Sequence, residues 1–212
     1  MAIAHLRLDE QKNTRTEQSV LEHLNGTAAL ARQFANSFYE PDIAGSIALA
    51  HDIGKYSADF QRHISGAKIH VDHSTCGARD LWNICKQNSL GTIAAYCIAG
   101  HHGGLPDGGS KSQHQSENAT LYKRLFNSDL PDFSLYSNDV TLKRIDAPKK
   151  WNPGKCPKTD NIGFSLAFFT RMLFSCLVDA DWLDTEAFMK DGSIVRSGFD
   201  TICGLNNKLA IT

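Results

Sequence analysis

The sequence lacks a charge excess of either sign: 22 Lys and Arg stand against 23 Asp and Glu, a formal net charge of −1 with His neutral. That balance excludes a polybasic nucleic-acid binder and an acidic disordered chain. It also lacks any C-x-x-C pair among its six Cys, which argues against a zinc knuckle. Four of them, Cys76, Cys85, Cys97 and Cys176, fall inside apolar helical patterns, so buried reduced thiols are expected rather than disulfides. No G-x-x-x-x-G-K-[ST] phosphate loop occurs, and ATP is not expected to bind this chain. The first ten residues show no basic segment leading into a long apolar run, which predicts a cytoplasmic protein. The longest apolar stretch, Phe164 to Leu183, is broken by Arg171, Asp179 and Asp181 and reads as a buried helix rather than a membrane span. Repeats and low-complexity tracts are missing.

What is present is an ordinary globular composition, 42% hydrophobic and 21% charged over 212 residues, enough for a substantial core. Apolar residues at 20, 21, 24, 28, 31, 34, 35 and 38 predict a first helix from Thr16 to Tyr39. Pro41-Asp42 opens a second through Ile43, Ile47 and Ala50 to Gly54, and Ser57 caps a short third to Ile64. A fourth is expected from His73 to Gln87, a fifth from Ser89 to His102 closed by Gly103-Gly104, and a last from Ile162 through Leu183 to Met189. No strand of convincing alternation appears, the extreme N-terminus being the one place left open for it. Between Gly103 and Asp160, Gly, Ser, Asn, Pro and Lys dominate, with one short helical candidate from Glu117 to Phe126. The expectation is one all-α domain over residues 1–212, with an insertion at about 103–160 that is a functional flap or a mobile, partly disordered segment.

Nine His are present, and their placement matters more than their number. A His-Asp dipeptide is cheap by chance, so His51-Asp52 alone carries little weight. His23, however, falls inside the first helix, His51-Asp52 at the end of the second, His73 at the start of the fourth and His101-His102 at the end of the fifth. Asp181 follows Leu173 and Leu177 at steps of four, on a face that looks buried, with no Arg or Lys at 177, 178, 184 or 185 to neutralise it. Asp179 continues a different stripe, and Asp184 reads as turn chemistry before Thr185-Glu186. Five His and two Asp make a nitrogen and oxygen set suited to divalent transition metals. Seven ligands exceed the roughly three of one open catalytic zinc, which points to two ions sharing a carboxylate, with Asp52 as the bridge. Two such ions suit hydrolysis of phosphate esters. Lys55, three residues beyond Asp52, can set a cation against the phosphate or protonate a leaving group. His5, His63, His70 and His114 read as caps or surface residues.

The order His23, His51-Asp52 and a late Asp181 resembles the signature of the HD metal-dependent phosphohydrolase superfamily. More narrowly, the strings HLNGTAALA, ALAHDIGKYSADFQRHI, DHSTCGA, IAGHHGGLPDGG and SCLVDADWLDTE resemble the HD nuclease domain of the CRISPR-associated nuclease-helicase of type I CRISPR interference, over about residues 17–190. The resemblance implies an HD-domain helical bundle and a metal-dependent deoxyribonuclease, endonuclease or exonuclease. Its substrate would be single-stranded DNA opened by a Cascade-type surveillance complex in antiviral defence. It implies a first ion on His23, His51, Asp52 and Asp181, a second on Asp52, His73, His101 and His102, and assistance from Lys55. Mn, Co, Ni or Fe are the expected ions, with Mg or Zn as alternatives. In that family a helicase usually follows the nuclease; without a phosphate loop, this chain is either a stand-alone subunit with a separate helicase partner or the nuclease part of a longer protein. Cyclic dinucleotide phosphodiesterases of the same superfamily also carry His-Asp-Ile-Gly-Lys and a later His-His. A Gly-Tyr-Pro string would be expected there, where this sequence has Gly103-Gly104-Leu105-Pro106-Asp107. That reading, with a nucleotide phosphohydrolase, ranks second.

Overall fold

Ser19 decides where the first helix begins. Its hydroxyl accepts from the Glu22 backbone N–H at 3.1 Å, and the Glu22 carboxylate accepts from the Ser19 N–H at 2.9 Å. This reciprocal capping box starts α1 at Val20, and α1 runs to Ala35. The residues before it are extended: β2 (Thr14–Ser19) pairs antiparallel with β1 (Ile3–Asp9). The helix expected from Thr16 therefore starts four residues later, because 16–19 satisfy their backbone groups in a hairpin.

The computed structural model describes residues 1–9, 13–110, 119–147 and 162–191. After α1 come α2 (Pro41–Ala50), α3 (Ala58–Ile64, capped by Ser57), α4 (Ser74–Ile84), α5 (Ser89–Gly100), α6 (Leu121–Leu125) and α7 (Ile162–Met189). The fold is thus helical as expected, with one two-stranded sheet among the described residues. α1 packs on α2 and α7, α4 on α5, and α7 also meets α2 and α5. Alanines at 28, 31, 35, 44 and 48 are buried in the core that α1 and α2 share, and side chains this small let the two helices approach closely. Ile47, Leu81, Ile98, Leu173 and Leu177 fill the centre, each fully buried side chain worth about 1.5–3 kcal/mol. A second cluster of Ala4, Val20, Leu24, Ile53, Tyr56 and Val140 seals the hairpin onto the bundle.

Two expectations need correction. Residues 119–147 of the expected insertion are folded into the body through Leu121, Leu125, Val140 and Ile145; the rest of its sequence beyond 110 lies outside the described residues. Its aromatics pin it down: Tyr122 and Phe126 meet Trp82, and the Tyr136 hydroxyl donates to Asp80. α7, expected to be buried, is long and apolar enough to cross a membrane by length and composition, with a mean hydropathy of 1.5. Only one stripe of it, Leu173, Cys176, Leu177 and Ala180, is buried, and Phe164 is 74% exposed. The buried stripe ends where Asp181 begins to face the centre of the bundle.

Candidate metal centre

The ring orientations of three histidines are set by what their Nδ1 atoms find. His51 follows the last turn of α2 and His101 that of α5; each donates Nδ1–H at 2.6 Å to a backbone carbonyl three residues back, Ala48 and Ile98 respectively. Both carbonyls lie in a last helical turn, where each also takes a long 3.5 Å bond from the backbone N–H of the same histidine. His23, in the first turn of α1, lies at no helix C-terminus and donates instead to Asp184 Oδ2 on α7 at 2.8 Å. With Nδ1 committed as the donor, Nε2 of each neutral ring offers a lone pair.

Those three Nε2 atoms are buried without a hydrogen-bond partner, and all face carboxylates. His23 Nε2 lies 3.3 Å from Asp52 Oδ2 and from Asp181 Oδ1, and His51 Nε2 lies 3.4 and 3.6 Å from the same two oxygens. Across Asp52, the Nε2 atoms of His73 and His101 each stand 3.4 Å from Oδ1, and His102 Nε2 is 2.8 Å from that of His73. Acceptors facing acceptors in a buried space repel unless positive charge lies among them. Two groups form, with ligand atoms within 4.8 Å of one another: His23, His51, Asp52 and Asp181, and Asp52, His73, His101 and His102. Asp52 is common to both. The donor set fits divalent first-row ions.

Electrostatics express the same demand. Burial disfavours the charged ring of His23, yet Asp181, Asp184 and Asp52 outweigh it and raise its pKa to about 10, so that a proton on Nε2 supplies the positive charge wherever an ion does not. Burial also opposes ionisation of Asp52 and Asp181, but His51 and Lys55 hold Asp52 well below the carboxylate range, as His23 and His51 do Asp181. His73 is pushed by burial to about 4 against the pull of Asp52, so it stays neutral and able to ligate. Lys55 Nζ makes an ion pair with Asp52 Oδ2 at 2.7 Å and lies over the Phe60 ring. Gly54 lets this loop lie against α4: a Cβ there would overlap the His73 carbonyl oxygen.

All eight residues singled out from the sequence, His23, His51, Asp52, Lys55, His73, His101, His102 and Asp181, thus come together. Asp179 points to solvent, His63 and His70 are exposed, and His114 lies outside the described residues. Three others were not foreseen. Asp184 is no turn residue; it sits inside α7 and orients His23. His5 is not at the surface but packs edge-on against His23, ring centroids 4.6 Å apart. Arg124 on α6 bonds Asp72 at 3.1 Å, Ser74 at 2.7 Å, Thr75 at 2.8 Å and the Ala99 carbonyl, so it ties together the segments that carry His73 and His101.

A family model for the HD domain matches residues 20–127, just over half of the chain. The chain belongs to the HD domain family. HD domains bind divalent metals and hydrolyse phosphate bonds, and this HD domain is of that metal-dependent phosphohydrolase class. The matched span runs from α1 to just past α6; the hairpin and α7 with Asp181 lie outside it. No curated protein matches the chain.

Proposed function

We propose that this HD domain is a deoxyribonuclease that hydrolyses single-stranded DNA in type I CRISPR interference, working with a helicase and a Cascade-type surveillance complex. The observation that carries a polymeric substrate is the asymmetry of the centre. His23, His51 and Asp52 are sealed in the core, whereas the other ligand group ends at the exposed His102. A phosphodiester can approach along that edge without its nucleoside being engulfed, which suits a passing strand better than a nucleotide gripped by its base. The CRISPR setting rests on the sequence strings around the eight site residues.

Divalent ions on the two ligand groups would supply Lewis acidity toward a phosphoryl oxygen and acidify a water. The chain's own residues have separate tasks. Asp52 holds both groups in register, the Nδ1 bonds of His23, His51 and His101 keep their rings aimed, and burial excludes bulk water. Lys55 brings a cation beside Asp52, where it can meet a phosphate oxygen or protonate the leaving oxygen.

Protein stripped of metal and reloaded with Mn²⁺, Co²⁺ or Ni²⁺ should degrade linear and circular single-stranded DNA. Inactivity with all three would sink the nuclease reading, and turnover of cyclic dinucleotides or nucleotides in its place would favour the second-ranked one. Asp52→Ala should abolish cleavage; surviving activity would put the reaction at another site.

A further inference from the structure

The hairpin lies outside the matched HD span, yet it reaches the centre. Between the pairs Ile3–Ser19 and His5–Gln18, β1 carries one residue more than β2, a bulge at Ala4. Bulges re-aim the side chain that follows, and here His5 comes to stand opposite Gln18, with its Nδ1 at 2.8 Å from Gln18 Oε1. A carboxamide oxygen only accepts, so His5 Nδ1 carries the proton and Nε2 the lone pair. That lone pair lies 3.2 Å from Lys55 Nζ, the same ammonium that pairs with Asp52. Gln18 Nε2 extends the chain to Asp184 Oδ2 at 2.8 Å, the oxygen that also accepts from His23. Gln61 clamps the assembly: its amide donates to the carbonyls of Ile3 at 3.0 Å and Lys55 at 2.7 Å, and its Oε1 accepts from the Ile3 N–H at 2.9 Å.

A lysine ammonium is a point charge on a flexible stem with three rotatable donors. Asp52 alone would leave its remaining two N–H bonds free to turn. A second acceptor on another side fixes the group, and the third N–H then has one direction left.

We propose that His5 is a positioning residue that holds the Lys55 ammonium beside Asp52 with one N–H turned toward the phosphate. The task given to Lys55 rests on the phosphohydrolase reading above; its placement by His5 does not. The hairpin then completes the site from outside the HD span.

The test compares wild type, His5→Phe and His5→Gln, the last keeping an acceptor. In ¹⁵N-lysine-labelled protein the Lys55 ammonium should give a signal protected from solvent exchange, lost in His5→Phe and retained in His5→Gln. An unchanged signal in His5→Phe overturns the proposal, whatever the activity. Metal content should equal wild type in both variants; loss of metal would mean His5 serves the ligands instead. On single-stranded DNA, His5→Phe should lower kcat on the order of ten- to a hundredfold with KM nearly unchanged, and His5→Gln should recover most of it. In a Lys55→Met background, His5→Phe should cost nothing more; an additive loss would overturn action through Lys55. Wild type inactive on DNA but with the expected Lys55 signals would remove the nuclease reading and leave the placement standing.

Discussion

Asp184 does for His23 what helix-end carbonyls do for His51 and His101: it takes the Nδ1 proton and leaves Nε2 facing Asp52 and Asp181. Removing such an outer partner typically weakens metal binding 10–100-fold, roughly. Asp184→Leu should therefore lower Mn²⁺ affinity by about that factor in calorimetric titration, with helix content unchanged. Gly26→Ala should act in the same direction, because its Cβ would collide with the Asp184 carboxylate. Asp181 was legible in the sequence from its spacing to Leu173 and Leu177. Asp184 was legible too, since it stands three residues on along the same helix face, but Thr185-Glu186 made it resemble the end of a helix. His5 could not be read at all. Its aim depends on a one-residue bulge and on the register of a hairpin, neither of which leaves a mark in local composition.

Among the elements, α1 shows how a local signal and a periodic one compete. Ser19-x-x-Glu22 is a capping-box pattern and marks the true start at Val20, which is also the first apolar position, whereas the expected start at Thr16 ran four residues ahead of both. α7 shows the opposite limit. Its composition alone suggests burial on all sides, but packing on α1, α2 and α5 buries one stripe and leaves Phe164 and Phe168 exposed. Gln61 ties the hairpin to the segment that carries Lys55. Gln61→Ala removes its three bonds and strands the partly buried Ile3 N–H, a loss of about 1–3 kcal/mol in urea unfolding. The same variant should loosen His5 and reproduce part of the His5→Phe effect on kcat.

Across the whole molecule, lone pairs from α1, α7 and the ends of α2, α4 and α5 converge on one buried carboxylate, Asp52. An ion that binds only the folded chain stabilises it by mass action, about 2.7 kcal/mol at a hundredfold excess over Kd. The thermal midpoint should therefore climb with Mn²⁺ concentration, and Asp52→Ala should abolish the climb. The thiols report the core independently. Cys76, Cys85, Cys97 and Cys176 are free and buried; burial pushes the Cys76 thiol up to about 12 and raises Cys97 and Cys176 as well. A disulfide reagent should find at most two of the six thiols in native protein and all six in denaturant.

The sequence by itself determined the helical class and the eight residues of the centre, because helix periodicity and the ends of helices are local properties that place His and Asp on predictable faces. Tertiary structure alone decided which ring nitrogen is free, which carboxylate is shared and which residues hold Lys55 and His23. Those depend on distances of about 3 Å between segments up to 161 residues apart, and packing rather than local preference sets such distances.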